Sequence, residues 1–379
     1  MVSFVSLTFA LALLVTTQAS TTCTVTKDQS GDDSLSIASA FTTCANGGTV
    51  VFEKGVNYTM NSLVSLQNVN NVKIKFLANV YLPSYTPNKY NKDGAYFLIG
   101  GSNITWDGHR TGTFIGGGQT WWDALDKTAP TLFRIEATHS TFRRFNILNS
   151  PRAHMRVKNS DGVTLDGLYF YTASSNEKLP KNTDALDISS SKNIVFKNSN
   201  ITIGDDCVAI NDDTYNITVS DITCAGGHGF SIGSLGKNKS TNHVGGISFR
   251  DSTCNGCENG VRIKTWAGGF GSVTDIKFEN VALNNVDNPV LITTHYCDDN
   301  AMQYCNGNDS YSLNISDVFI KNIRGSVSNL GQPIVNVNCS VLSSCTGFTL
   351  SKIDITASNN TKPNVCEYLE GSDKISYCK

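Results

Sequence analysis

Short runs of the form apolar-x-apolar-x-x recur along the chain and close on Asn, Asp or Gly. They are ITWDG from Ile104, VTLDG from Val163, IVFKN from Ile194, ITVSD from Ile217, ISFRD from Ile247, IKFEN from Ile276 and VFIKN from Val318. Alternation with period two marks strands with one inward face, and the closing residues tolerate the backbone of a sharp turn. From Val163 to Ile276 successive starts lie 31, 23, 30 and 29 residues apart, a spacing that means stacked repeats. Neither the Leu/Asn signature of leucine-rich repeats nor a 3.6-residue helical period is present. The pattern therefore predicts an all-β fold, a parallel β-helix in which each repeat is one coil of a solenoid; a multi-sheet β-sandwich is the runner-up. Such a stack needs covered ends. The segment 34–44 (SLSIASAFTTC) has helical character and is expected to cover one end, the cysteine-rich C-terminus the other.

Residues 1–19 carry no charged side chain and include the apolar run FALALLV, followed by small and polar residues. That run is too short to span a bilayer and reads as a secretory signal peptide. Removing 19 of 379 residues leaves 360, enough for a large single domain or two ordinary ones, and the continuous repeat is expected to make residues 20–379 one domain. The twelve cysteines fit an oxidising compartment. Nearest-neighbour spacing suggests the pairs Cys23–Cys44, Cys207–Cys224, Cys254–Cys257, Cys297–Cys305, Cys339–Cys345 and Cys366–Cys378. A zinc site is the alternative for Cys254 and Cys257, but no second CxxC or His pair accompanies it. Glycosylation sequons stand at Asn57, Asn103, Asn200, Asn216, Asn238, Asn308, Asn314, Asn338 and Asn359. These features point to a secreted, extracellular protein. The net charge of −2 argues against nucleic acid as a partner, and no later stretch is apolar enough for a membrane helix.

The unusual residues fall at coil spacing. Asp184 to Asp205 is 21 residues, Asp205 to His228 is 23, and His228 to Arg262 is 34. Stacked coils, about 4.8 Å apart, then bring NTDALD, GDDC, GGHG and RIK into one stripe. Taken singly, paired aspartates are turn residues, Gly-His-Gly is a turn and RIK is a solvated strand end; together they form an active-site inventory. Glycosidic cleavage needs one carboxylic acid to protonate the leaving oxygen and another carboxylate to activate water or attack. Crowding Asp205 among Asp184 and Asp206 raises at least one pKa. Arg262 and Lys264, two apart on a strand, face one side and suit an anionic substrate.

The blocks NTDALD, GDDCVAIN, GGHGFSIGSLG and RIKTW resemble the four signature blocks of the family 28 polygalacturonases. The likeness extends over nearly the whole mature chain, including WDG…GQTWWD, Asn149-Ser150-Pro151 and the late cysteines. It implies a right-handed parallel β-helix and inverting hydrolysis of α-1,4-linked galacturonic acid in polygalacturonate or pectin, without cofactor or metal. Carried over by motif, Asp205 is the general acid, Asp184 and Asp206 activate water, and His228 supports the acid. Arg262 and Lys264 hold the substrate carboxylate, Asn182 positions Asp184 or the sugar, and Tyr296 resembles a subsite residue. The stretches GSLGK, RIKTW and ITTHYC…C are closer to fungal exo-acting members, and Gly204 stands where many endo-acting ones have Gln. Against that, the segment 267–273 is shorter than in exo enzymes. The balance favours exo action by a monomer, with the clipped loop Cys297–Cys305 as the wall closing the groove. A pectate lyase would need calcium ligands and an Arg or Lys base, and an inactive pectin-binding paralogue would lack catalytic-type residues that are all present. Gly116-Gly117-Gly118 lacks the Gly-Lys-Ser/Thr of a phosphate loop.

Overall fold

The computed structural model describes residues 21–307 and 310–379, with the backbone alone at 299 and 300. The expected leader, 1–19, and the sequon at Asn308 lie outside the described residues. Among the described residues, twenty-seven strands join in one continuous parallel sheet wound into a β-helix, as the repeat spacing predicts. The right-handed sense is the one that strand–crossover–strand units take.

Three sheet faces run the length of the cylinder. The face that carries the site stacks Met155–Lys158, Leu186–Ser189, Val208–Ile210, Phe230–Leu235, Asn259–Trp266 and Asn288–Tyr296, each in register with the next. Alternation decides which side chains go in. Leu186, Val208, Phe230, Val261 and Val290 form one buried interior column, while Arg156, Asp187, Ala209, Ser231 and Arg262 form the outward one.

The other two faces meet at a one-residue corner inside long bent strands. There Asn198, Asp221, Asp251, Asn280 and Asn322 all have φ between 51° and 57°. Asn and Asp enter this left-handed region more readily than other side chains, which is why the sequence runs close on them. The corner side chains also bond between coils: Asn280 Nδ2 donates to Asp251 Oδ1 at 2.9 Å and Asn322 Nδ2 to Asn280 Oδ1 at 2.7 Å.

The helix Ser34–Thr43 covers the first coil, burying Ile37, Ala40 and Phe41. All six suggested cysteine pairs are disulfides. Cys254 and Cys257 are thus a bridge rather than half a zinc site. Among the described sequons Asn57, Asn103, Asn200, Asn216, Asn238, Asn314 and Asn359 are exposed, whereas Asn338 is half-buried on the strand Val335–Asn338. No described helix is long and apolar enough to cross a membrane.

Candidate active site

The outward column opens into a cleft of about 1110 Å³, lined by Asn182, Asp184, Asp205, Asp206, His228, Arg262, Lys264 and Tyr296. The structure therefore gathers every site residue expected from the sequence. Their bonding differs from expectation at two points, Asn182 and the pair Arg262 and Lys264.

Asp205 and Asp206, adjacent in sequence, face different partners. Asp205 Oδ1 lies 3.0 Å from His228 Nδ1 and accepts from the Asp206 amide at 2.9 Å. Its Oδ2 accepts from the Asn182 amide at 2.9 Å. Asn182 thus positions Asp205 through its backbone, at φ 56°, rather than holding Asp184. His228 Nε2 in turn lies 3.2 Å from Glu258 Oε2. A carboxyl group thus faces each ring nitrogen of His228, Asp205 at Nδ1 and Glu258 at Nε2, which fixes the orientation of the ring beside the acid. Burial lowers the His228 pKa, but the Asp205 bond and the surrounding Asp205, Asp206 and Glu258 charges outweigh it and raise the value overall.

Asp206 is buried. Its Oδ1 accepts from Arg262 at 2.6 Å and from Ser231 Oγ at 2.8 Å, and its Oδ2 from Lys264 Nζ at 2.7 Å. Burial pushes this carboxyl up, yet Lys264 and Arg262 prevail and hold it down at about 2. The two cations expected to grip substrate are therefore committed to Asp206 here, and Arg262 Nε is further tied to Ser231 Oγ at 3.0 Å. Lys264 also sits 5.4 Å over the ring of Tyr296.

Asp184 is the contrasting acid. No described residue bonds its carboxylate, and burial together with the Asp187, Asp205 and Asp206 charges raises its pKa well above the carboxylate range. Its main chain is firmly held, because the Asp184 carbonyl accepts the His154 amide at 2.8 Å. His154 is fully buried, with Nδ1 3.3 Å from the same carbonyl and Nε2 2.8 Å from Thr172 Oγ1. Burial brings the His154 pKa down to about 4, so the ring stays neutral.

The glycines flanking His228 serve the stack itself. At φ 69° and 81°, a Cβ on Gly227 would meet the Asp205 carbonyl and one on Gly229 the Asn259 carbonyl. Coil-on-coil approach demands them. Cys207–Cys224 adds a covalent tie between the Asp205 turn and the coil delivering His228.

Sequence reasoning missed Glu258, Ser231, His154 and the pair Arg156–Asp187, whose Nη2 to Oδ2 distance is 3.0 Å. The last had a signal: Asp187 closes NTDALD, and Arg156 and Asp187 are register partners one coil apart.

The model of the family "Glycosyl hydrolases family 28" matches residues 44–376. The chain belongs to that family. Among curated relatives, exopolygalacturonase rpg15 of Rhizopus delemar is 50% identical over 387 residues, covering 100% of both chains. An exopolygalacturonase of Cochliobolus carbonum is 32% identical over 92% of this chain and 83% of its own. Among solved structures, the endo-xylogalacturonan hydrolase of Aspergillus tubingensis superposes with a TM-score of 0.84 at 26% identity, covering 92% of this chain and 96% of that one.

Proposed function

We propose that this family 28 member is a secreted, monomeric exo-acting polygalacturonase that hydrolyses α-1,4-galacturonosyl linkages of polygalacturonate with inversion. The observation that carries the reading is the division of labour among three carboxylates in one cleft. Asp205 is hydrogen-bonded to His228 and suited to deliver a proton to the leaving oxygen. Asp206 is an ionised, neutralised anchor beside it. Asp184 has an unoccupied carboxylate, free to take a proton from water. Single displacement needs that acid and base on opposite sides of the scissile bond. The full-length likeness to exopolygalacturonases supports the exo assignment.

Anchoring by Arg262 and Lys264 also sets the substrate's charge environment. When a uronate enters, it shares those cations with Asp206, so recognition of its carboxylate depends on the same network that shapes the site. Chromatography of early products from polygalacturonate tests the proposal. Galacturonic acid should appear from the first minutes, with slow loss of viscosity relative to reducing ends and no change on adding EDTA. Unsaturated, calcium-dependent products would instead mean a lyase, and a rapid viscosity drop with mixed oligomers would mean endo action.

A further inference from the structure

We propose that the cleft is closed at its Lys181 end by two interlocked loops, 116–130 and 172–185, and that Lys127, Arg152 and Lys181 there receive the carboxylate of the polymer's terminal residue. This rests on the exopolygalacturonase reading and supplies its structural cause. It also moves the wall away from the clipped loop Cys297–Cys305, which borders the cleft at the opposite end through Cys297 and Asp298.

Three observations carry it. First, the sheet that floors the cleft continues beyond Met155–Lys158 through Thr131–Arg143, Ala95–Ser102 and Val64–Asn70. None of those three strands lines the cleft, whose lining ends at Lys127 and Arg152. Something stands on the sheet at that point.

Second, the two loops are built as one rigid body. Gln119 Nε2 donates to Asp123 Oδ1 at 2.8 Å, the Ser175 amide donates to Gln119 Oε1 at 2.7 Å, and Asn176 Nδ2 donates to Asp123 Oδ1 at 2.8 Å. A separate small core of Trp121, Trp122 and Ala129 underlies the first loop, and Trp122 Nε1 donates to the Pro151 carbonyl at 3.3 Å.

Third, the charges there are unspent. No described acid forms an ion pair with Lys127, Arg152 or Lys181, although all three line the cleft. Arg156 is bound to Asp187, and Arg262 and Lys264 to Asp206. Arg152 Nη1 donates to the Lys92 carbonyl at 2.9 Å, which holds its guanidinium in place without an ion pair, so a uronate entering the cleft meets at the wall three cations not paired with an acid.

The order of residues along the axis then fixes which end of the polymer is cut. Asp184 lies one coil nearer the wall than Asp205. Water loses a proton to Asp184 and its oxygen bonds the anomeric carbon, while the glycosidic C–O bond breaks and the departing oxygen takes the proton of Asp205. The sugar that gains water is the one on the Asp184 side, between base and wall. The released monomer is the non-reducing terminal residue.

The test uses reducing-end-labelled tri- and tetragalacturonate with the wild type, Lys181→Ala, Lys127→Ala and the unlocking double variant Gln119→Ala/Asn176→Ala. The wild type should release unlabelled monomer and leave the label on the longer fragment. Each Lys variant should raise KM by about tenfold or more with a smaller change in kcat, as expected for loss of a charge-assisted contact. On a trimer whose non-reducing terminal carboxyl has been reduced to the alcohol, the wild type should already show that higher KM and the Lys variants should add little. The unlocked variant should release dimer alongside monomer. Labelled monomer as the first product of the wild type, or unchanged KM in both Lys variants, would overturn the proposal while leaving a working polygalacturonase. No hydrolysis of any galacturonan by the wild type would instead overturn the function on which it rests.

Discussion

The coils ahead of the cleft and the coils that carry it fill the same cylinder with different chemistry. In the first, aromatic rings meet face and edge: Trp106 lies 5.5 Å from Phe97, 5.3 Å from Phe76 and 5.3 Å from Phe133, and Phe97 stacks on Phe133 at 5.3 Å. From Leu186 onward the interior is largely Ile, Val and Leu in vertical columns, with two neighbouring disulfides, Cys207–Cys224 and Cys254–Cys257. Large rings bury the most area per residue and favour offset and edge-on contacts, so they suit the end of the stack that has only a helix above it. Branched aliphatics of similar size keep successive coils alike in cross-section. That uniformity lets Arg156, Asp187, Ser231 and Arg262 stand in one outward line. Packed aromatic area is concentrated at one end and geometric regularity at the other.

The sharpest break in that comparison is on the catalytic side. Asp205→Asn should leave folding and substrate binding intact while activity falls on the order of 10²–10⁴-fold, the loss of a general acid. Near wild-type turnover in a variant with unchanged thermal unfolding would sink the role of Asp205. A companion measurement, proton NMR of the first-formed sugar, should show the β anomer.

The opposite result is expected at the aromatic end. Trp106→Ala removes a fully buried ring and should cost about 3–5 kcal/mol of stability, measured by denaturant unfolding. The fraction that remains folded should keep its kcat. A fall in kcat without loss of stability would mean that the two regions are not separable.

A smaller effect tests the electrostatics. Asp184 must be ionised to take a proton from water, and the Asp187 charge helps to raise its pKa. Asp187→Asn removes that charge, lowers the Asp184 pKa and should move the acid limb of the kcat profile to lower pH. An acid limb that stays fixed or rises contradicts Asp184 as the base.

The smallest expected effect reads the same group through stability. A carboxyl whose folded pKa is raised binds its proton more tightly when folded. Its contribution is therefore fullest below the ordinary carboxylate value and is lost as pH rises through the raised value. Near pH 7 the Asp184 charge costs stability, so Asp184→Asn should raise the melting temperature by about 1–3 °C there and give no gain near pH 3. An equal gain at both values would mean packing, not charge, is responsible.

What was legible in the sequence is what repeats. Period-two runs at coil spacing gave the strands, closing Asn and Asp residues gave the corners, and vertical register brought Asp184, Asp205, Asp206, His228, Arg262 and Lys264 together. Local cysteine spacing gave the bridges. The rest depends on the segments between strands, which follow no period. That Asn182 acts through its amide, that Glu258 backs His228, and that Gln119 locks onto Ser175 all turn on loop paths. The commitment of Arg262 to Asp206 is reinforced by the Ser231 hydroxyl, which bonds both groups from the neighbouring coil. Motif comparison names Asn182, Arg262 and Lys264 without showing which partner each takes, and it does not reach Glu258.

The corner at Asn198, Asp221, Asp251, Asn280 and Asn322 has a consequence for how such a protein can change. It admits one residue per coil and bonds to the coil beside it, so that edge of the cylinder tolerates neither insertion nor deletion. The two edges bordering the catalytic sheet vary more in length: one widens into 172–185 and the other into the segment that follows Tyr296, while neighbouring coils need only a few residues, even though Asn193 bonds Asp161 and Asn216 bonds Asn193 from coil to coil beside the second. New sequence can thus be added on either bank of the cleft without disturbing a single register pair beneath it. A lineage acquiring a different polymer, or a different way of cutting this one, is free to redraw the banks and inherit the bed unchanged.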